Sequence, residues 1–568
     1  MADLGGLWRR VSDLLRPIAP GAARLNWPGE RCSEKAVPAP AIDRPGTRPA
    51  RLLTLPNFFA LLALLAGMLA ARPQVMDPDF WWHLRNGNTM LRTGHLIHVN
   101  PYAFMAAGHH WVLQEWLSEV WMAAAAGAAG RLGVVLVYWL ITLGMFVVVW
   151  ARAATIRRVN GITVGVGLFL AAITAYPILG PRSQMESYLL IGVTLLVVER
   201  QLRRGGMVAW ILPPIFLIWA NLHAGFIMGL ILLVAVVGSE WLSVCLGRRT
   251  RAQRRNLWHL SWAAVASGAA SLVNPNGPVI AIYPFQTQFS NAQQSLIQEW
   301  HSPNFHVGVL LPLLIFIVAL GWLLVRQRDV SLRDVTVLGL CLLVTLQSVR
   351  NLVILVVAGT PILIVLMDQI AVNLAHRGNL HLRPQQPGPA VVLEALMLLG
   401  AVAALGVQIG TSATPPLASP TYVNAFPVCA ARWLDTAPGG LKVFNQYGDG
   451  GFLAYTAPQD KVYIFGDAAL MGPRVLRRYA AIIDLSPSWL RLLDGSPAQV
   501  VLFERGVAFS DALQRTPGWT LVYRDRRVEA FERSNLLGTL GLPPNPTAST
   551  WLKEGLPACA SQAVPLPA

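Results

Sequence analysis

Apolar residues in this chain gather in runs of roughly 20, the length that carries a helix across the hydrocarbon core of a bilayer. Such runs fall at 52–71, 132–151, 161–180, 185–199, 207–221, 223–245, 257–274, 307–325, 334–349, 351–370 and 389–409, giving about eleven expected spans. Some are only about 15 residues long and need local thinning or burial in the bundle. One more apolar stretch, Glu115–Ala129, reads as a helix lying on the membrane surface with Trp111, Trp116 and Trp121 as interfacial anchors. A span there would put Arg152, Arg157 and Arg158 on the wrong side. The expected fold class is mostly α: a polytopic transmembrane helix bundle with a small external α/β domain at its C-terminal end.

The polar stretches complete the organisation. Residues 1–51 are polar, Pro-rich and Arg-rich, with no apolar run before about Leu52. They read as a flexible basic cytoplasmic tail without a cleavable signal peptide. The bundle spans 52–410 and carries two large external loops, 72–131 and 275–306. Beyond it, Thr411–Pro420 is a Ser/Thr/Pro linker. Short strands are expected at Leu441–Phe444, Gly451–Tyr455, Lys461–Phe465 and Val500–Phe503, helices at Pro473–Ile483 and Pro487–Leu493, and a hairpin over 520–531. Together these make an external α/β domain at 411–535, and 536–568 reads as a tail. Cys429 and Cys559 both fall on the side where a disulfide is able to form.

Composition agrees with the pattern. Of 568 residues, 54% are hydrophobic and 13% charged, where a soluble protein carries about 25% charged residues; the mean hydropathy is +0.48. The net charge of +16 is topological. Arginines cluster in the N-terminal tail and in alternate short loops, whereas residues 276–305 contain neither Lys nor Arg. This alternation puts the N-terminus in the cytoplasm of a cytoplasmic (inner) membrane and removes the case for nucleic acid as a partner.

Topology then sorts the unusual polar residues. Asp77-Pro78-Asp79-Phe80-Trp81-Trp82-His83-Leu84-Arg85 follows the first span, and Pro181-Arg182-Ser183-Gln184 ends the third. Asn221-Leu222-His223 is a tight external turn. Asn274-Pro275-Asn276 and Gln298-Glu299-Trp300-His301 belong to the second external loop, and Arg350-Asn351 sits between two spans. All six clusters face the same side. An arginine at bilayer depth costs about 2.5–3.5 kcal/mol on insertion scales, so Arg182 and Arg350 call for a polar cavity with a partner. The plain alternatives are solvated loop acids for Asp77 and Asp79, interfacial snorkelling for the arginines, and turn-capping for Asn221 and His223. The functional reading makes Asp79 and Asp77 catalytic. It makes Arg182, Arg350, His223, His83, Arg85, Trp81 and Trp82 substrate-binding.

The motifs Asp77–Leu84, Trp111–Leu117, Pro181–Gln184, Trp219–Gly225, Asn274–Gly277, Glu299–Trp300, Arg350–Asn351 and Phe444–Gly451 resemble a group of bacterial and archaeal multi-spanning glycosyltransferase-like proteins. More distantly, the acidic pair in the first external loop is similar to that of the GT-C glycosyltransferase superfamily. The resemblance implies a sugar moved from a polyprenyl-phosphate donor to an acceptor at the external membrane face. In it, Asp77 and Asp79 correspond to the acidic motif that activates the acceptor or binds a divalent metal ion. Where relatives often carry D-G-R after the third strand of the external domain, this chain has Phe465-Gly466-Asp467. Two other classes stay open: a transporter or flippase of lipid-linked sugar, and a non-catalytic membrane assembly or scaffold protein.

Overall fold

The computed structural model describes residues 77–566 apart from 249, 289, 327–329, 378–389 and 414–416, together with positions 58, 61, 62 and 65. The expected tail 1–51 and nearly all of the expected span 52–71 lie outside the described residues. Each expected span from 132 onward coincides with a helix. Four helical segments, Trp116–Ile156, Phe226–Cys245, Gly308–Arg326 and Val349–Leu374, are long and apolar enough to cross a membrane, with shorter apolar helices at Gly161–Ala175, Val208–Leu222 and Leu396–Gln408. This is a membrane protein.

Local sequence explains where the helices begin. Asn160 caps Gly161–Ala175 by accepting from the Ile162 amide, Thr250 and Gln253 form a capping box for Arg251–Ala270, and Ser331 caps Leu332–Gln347. Each cap satisfies an amide that the helix itself leaves unpaired. The 41-residue helix Trp116–Ile156 is two helices joined at a break, Ala129–Gly130. Gly130 has φ +60° and ψ −149°, a conformation open essentially to glycine alone. The break falls at the boundary read from the sequence between a surface segment and a span.

Packing sorts the helices into inner and outer. The most apolar window of Val349–Leu374 is 83% buried, against 28% for Gly308–Arg326. The first is therefore the central post of the bundle. The second turns Val318, Trp322 and Val325 outward, as a lipid-facing helix does. Charge is buried toward one end of the bundle. Arg152, Glu199, Glu240, Arg333 and Asp368 are all buried, with Glu199 ion-paired to Arg152, Arg203 and Arg333. Buried charge survives only where paired.

The C-terminal domain is built on a five-stranded sheet of order β2-β1-β3-β5-β4. Its strands are β1 Lys442–Asn445, β2 Lys461–Val462, β3 Val500–Glu504, β4 Trp519–Arg524 and β5 Val528–Arg533. The first two pairings are parallel and the last two antiparallel. The stretch Gly451–Tyr455, expected as a strand, is instead part of the helix Gly450–Thr456. Parallel β1 and β2 need a crossover, and this helix supplies it. Nor is the segment after 535 a loose tail. It carries the helices Ala548–Lys553 and Pro557–Gln562, buries Trp551, and is stapled to the domain by the Cys429–Cys559 disulfide, Cα–Cα 5.6 Å.

The domain sits directly on the segment between Asp77 and Trp116. The Val462 amide donates to the Tyr102 carbonyl at 3.0 Å, and Arg85 donates to the carbonyls of Ala454 and Pro458.

Candidate active site

The loop after residue 76 makes a tight turn before its helix starts. The Asp79 amide donates to Asp77 Oδ1 at 2.9 Å, and the helix Phe80–Thr93 begins at the next residue. This turn sets both carboxylates at the helix entrance and puts His83 one turn further on. Trp82 Nε1 donates to Asp79 Oδ1 at 3.1 Å, and the Trp82 ring lies over the His83 ring with centroids 3.6 Å apart.

These side chains line a cavity of about 590 Å³. Its walls bring together segments more than 350 residues apart: Asp77 and Asp79, Glu115, Arg182, His223, Glu299 and Arg350 from the bundle side, and Tyr447, Gly466 and Asp467 from the C-terminal domain. Arg182 is ion-paired through Nε to Asp77 and donates to Glu299 Oε1 at 2.6 Å. Arg350 holds its guanidinium 5.0 Å over the Trp300 ring. Among the described residues it has no carboxylate within ion-pair distance. One arginine is thus neutralised by two acids, and the other presents its charge to the cavity against an aromatic face.

The two aspartates are not equivalent. Burial, reinforced by the Asp77 charge, raises the Asp79 pKa to about 6. Asp77 lies in the ion pair. Deeper in, Glu115 accepts from Ser183 Oγ at 2.5 Å and stands 3.4 Å from His83 Nε2 and 3.6 Å from His223 Nε2. The two histidines differ in state. For His83 burial disfavours the cation, but the carboxylates of Glu115 and Glu119 outweigh it and lift the pKa to about 9. For His223 burial prevails and takes it down to about 4. Its Nδ1 accepts from the Gly225 amide at 2.9 Å, so the remaining proton sits on Nε2, facing Glu115.

The domain's contribution to the cavity is a close one. A Cβ on Gly466 would lie 1.5 Å from Asp79 Oδ1, so only glycine lets this loop meet the carboxylate. Tyr447 donates to the Gly466 carbonyl at 2.9 Å, and Trp111 Nε1 donates to Asp467 Oδ2 at 2.6 Å. Burial raises the Asp467 pKa above its ordinary value.

Of the sequence-derived candidates, Asp77, Asp79, Trp82, His83, Arg182, His223 and Arg350 line this one cavity. Trp81 and Arg85 do not. Trp81 is packed among Phe426, Phe452 and Tyr455. Arg85 lies over the Tyr102 ring, 4.5 Å from its centroid, and ties the domain down. Asn221 and Asn274 join neighbouring helix ends to each other through Asn274 Nδ2 to Asn221 Oδ1 at 3.2 Å.

No group of three or more His, Cys, Asp or Glu among the described residues is arranged to hold a metal ion. Asp77 is committed to Arg182. The donor set does not fit a divalent cation, and no step below passes through one.

The chain's fold is similar to that of the oligosaccharyltransferase of Archaeoglobus fulgidus, solved tethered with an acceptor peptide containing the NVT sequon. That likeness has a TM-score of 0.51 at 9% identity and covers 84% of this chain and 74% of that one. At that identity the likeness is one of fold. Also similar are ArnT from Cupriavidus metallidurans bound to undecaprenyl phosphate (TM-score 0.45, 14% identity, 83% and 97% covered) and the mycobacterial arabinofuranosyltransferase AftD (0.43, 14%, 84% and 40%). No protein-family model and no curated protein matches the sequence. Gly466, Tyr447 and Asp467 line the cavity without having been site candidates from the sequence, and Ser183 and Trp300, named there within their clusters, were given no role of their own. The F-G-D departure from the D-G-R pattern was the available signal.

Proposed function

We propose that the chain is a membrane glycosyltransferase that moves a sugar from a polyprenyl-phosphate donor to an acceptor at the external membrane face. One observation carries this reading: a single cavity holds Asp79, whose pKa burial raises to about 6, together with Arg350, which among the described residues has no carboxylate within ion-pair distance. Asp79 takes the proton from the acceptor nucleophile, whose bond to the anomeric carbon forms as the carbon–oxygen bond to the lipid phosphate breaks. The departing phosphate takes the bonding electrons, and Arg350 stabilises its charge, with the His223 Nε2–H as a neutral donor. Asp77 is the positioning residue: it fixes Arg182 and, through the Asp79 amide, the turn that carries the base. Trp82 orients the Asp79 carboxylate. In this reading the N-terminus is cytoplasmic, about eleven spans cross the inner membrane, and the C-terminal domain is external.

The transporter reading gains something from the buried ion cluster at the other end of the bundle. Against it, Leu352–Ala358 and Ile362–Leu366 of the central helix, on the path between, are packed apolar side chains.

The test is transfer from radiolabelled polyprenyl-phosphate sugars in membranes holding equal amounts of wild type, Asp79→Asn or Asp77→Asn. Transfer in wild type and its loss in Asp79→Asn supports the reading. Labelling that is equal in all three removes these acids as the centre of catalysis.

A further inference from the structure

A second cavity, of about 910 Å³, lies at the other end of the same helices. The helix Gln184–Arg204 touches both. Gln184 and Tyr188 line the first cavity, and Glu199, Arg203 and Arg204 line the second. At 1.5 Å per residue the two ends of this helix are about 30 Å apart, which is the thickness of a bilayer's hydrocarbon core. The cavities therefore open toward opposite membrane faces, and the second toward the arginine-rich one.

Five arginines line this cavity, Arg157, Arg203, Arg204, Arg255 and Arg333, against three carboxylates. The acids are already engaged in holding the structure. Glu199 takes Arg203 and Arg333 as well as Arg152, and Asp334 pairs with Arg333. Arg204 and Arg255 are exposed, and neither has an ion-pair partner among the described residues. The inner wall is apolar, formed by Leu324, Ile362, Val365 and Leu366. A basic mouth backed by an apolar wall between membrane helices matches one kind of ligand, an anionic head joined to a hydrocarbon tail. Guanidinium forks suit phosphate oxygens, and a wall of Leu, Ile and Val suits an acyl or prenyl chain. Free phosphate would use the mouth and leave the wall empty.

We propose that this cavity is a second binding site, one that takes the phosphate headgroup of a membrane lipid on the arginine-rich face through Arg204 and Arg255. It is separate from the transfer site and does not depend on the chemistry assigned there. Arginines at helix ends on this face also serve topology, so the experiment must separate a site from a diffuse basic surface.

The full chain, purified in neutral detergent, is titrated with dioleoyl phosphatidic acid, and the adducts are counted by native mass spectrometry. Two paired variants of equal charge are compared: R204Q/R255Q, which strips the cavity mouth, and R251Q/R254Q, which removes exposed arginines on the same helix outside the cavity. Both pairs are surface changes, and matched thermal unfolding confirms their folding. The expected result is one saturable site, weakened by about tenfold or more in R204Q/R255Q and unchanged in R251Q/R254Q. Millimolar inorganic phosphate in a second arm distinguishes the source. Persistence of the lipid adduct assigns the tail a part in binding; its displacement assigns the site to free phosphate and overturns the lipid proposal. Absence of a saturable adduct, or equal loss in both pairs, also overturns it.

Discussion

Gly466→Ala puts the coupling between the C-terminal domain and the acidic loop to the test. The added methyl carbon would lie 1.5 Å from Asp79 Oδ1 and 2.5 Å from its Cγ, where ordinary contact begins near 3.4 Å. The carboxylate and the loop must therefore separate by about 2 Å, or Asp79 must leave its rotamer and its bond from Trp82. Overpacking by one methyl costs about 1–3 kcal/mol of stability, small enough to leave a domain of this size folded. The catalytic cost is larger in proportion, because a misplacement of about 1 Å lowers rates by about 100-fold. The measurement is initial transfer rate from a polyprenyl-phosphate sugar at saturating donor. Gly238→Ala, with nothing within 4 Å of the added carbon, serves as the control. A kcat fall of about 100-fold with a modest drop in Tm is expected. Transfer at the wild-type rate in Gly466→Ala refutes Asp79 as a base held by this contact.

The remaining predictions follow from the charges. A general base with pKa near 6 acts when deprotonated, so the rate should rise through about pH 6 and level off above pH 7; a flat profile from pH 5 to 8 contradicts the assignment. The His83 pKa is raised to about 9, so its stabilising contribution is complete below the unfolded value near 6.5 and is lost as pH climbs through 9. Wild-type thermal stability should fall across that window, and His83→Gln should abolish the fall. Arg350→Ala should lower kcat by about 100- to 1000-fold while leaving unfolding unchanged; a change confined to KM would make it a binding residue only. Cys429→Ser opens a link between residues 130 apart in sequence and should cost about 2–5 kcal/mol, measured by urea unfolding with and without reductant.

The bundle was legible because a bilayer demands continuous apolar runs, and composition alone reveals those. Residues of five of the six polar clusters line one cavity, and Asn274–Asn276 does not; the arginine bias could group them because it assigns each loop a side before any fold is known. Two things were hidden. The Gly450–Thr456 helix carries a short apolar run that suits strand or helix equally, and only the parallel pairing of β1 and β2 decides between them. Trp81 and Arg85 share a nonapeptide with Asp79 but point the other way, since a helix separates neighbours by 100° each. Sequence distance also concealed Gly466, whose partner Asp79 lies at the entrance of the helix Phe80–Thr93.

The wall that meets Asp79 is made long after the loop it covers. Residues 77–350 can be synthesised and inserted with the acids, the histidines and both arginines already present, yet the reactive carboxylate lacks its roof until Gly466 arrives. The disulfide that secures the domain waits still longer, for Cys559. A chain caught midway through insertion therefore lacks one wall of this cavity, however complete its bundle. On the proposed reading, no transfer is expected until the domain has closed over the bundle.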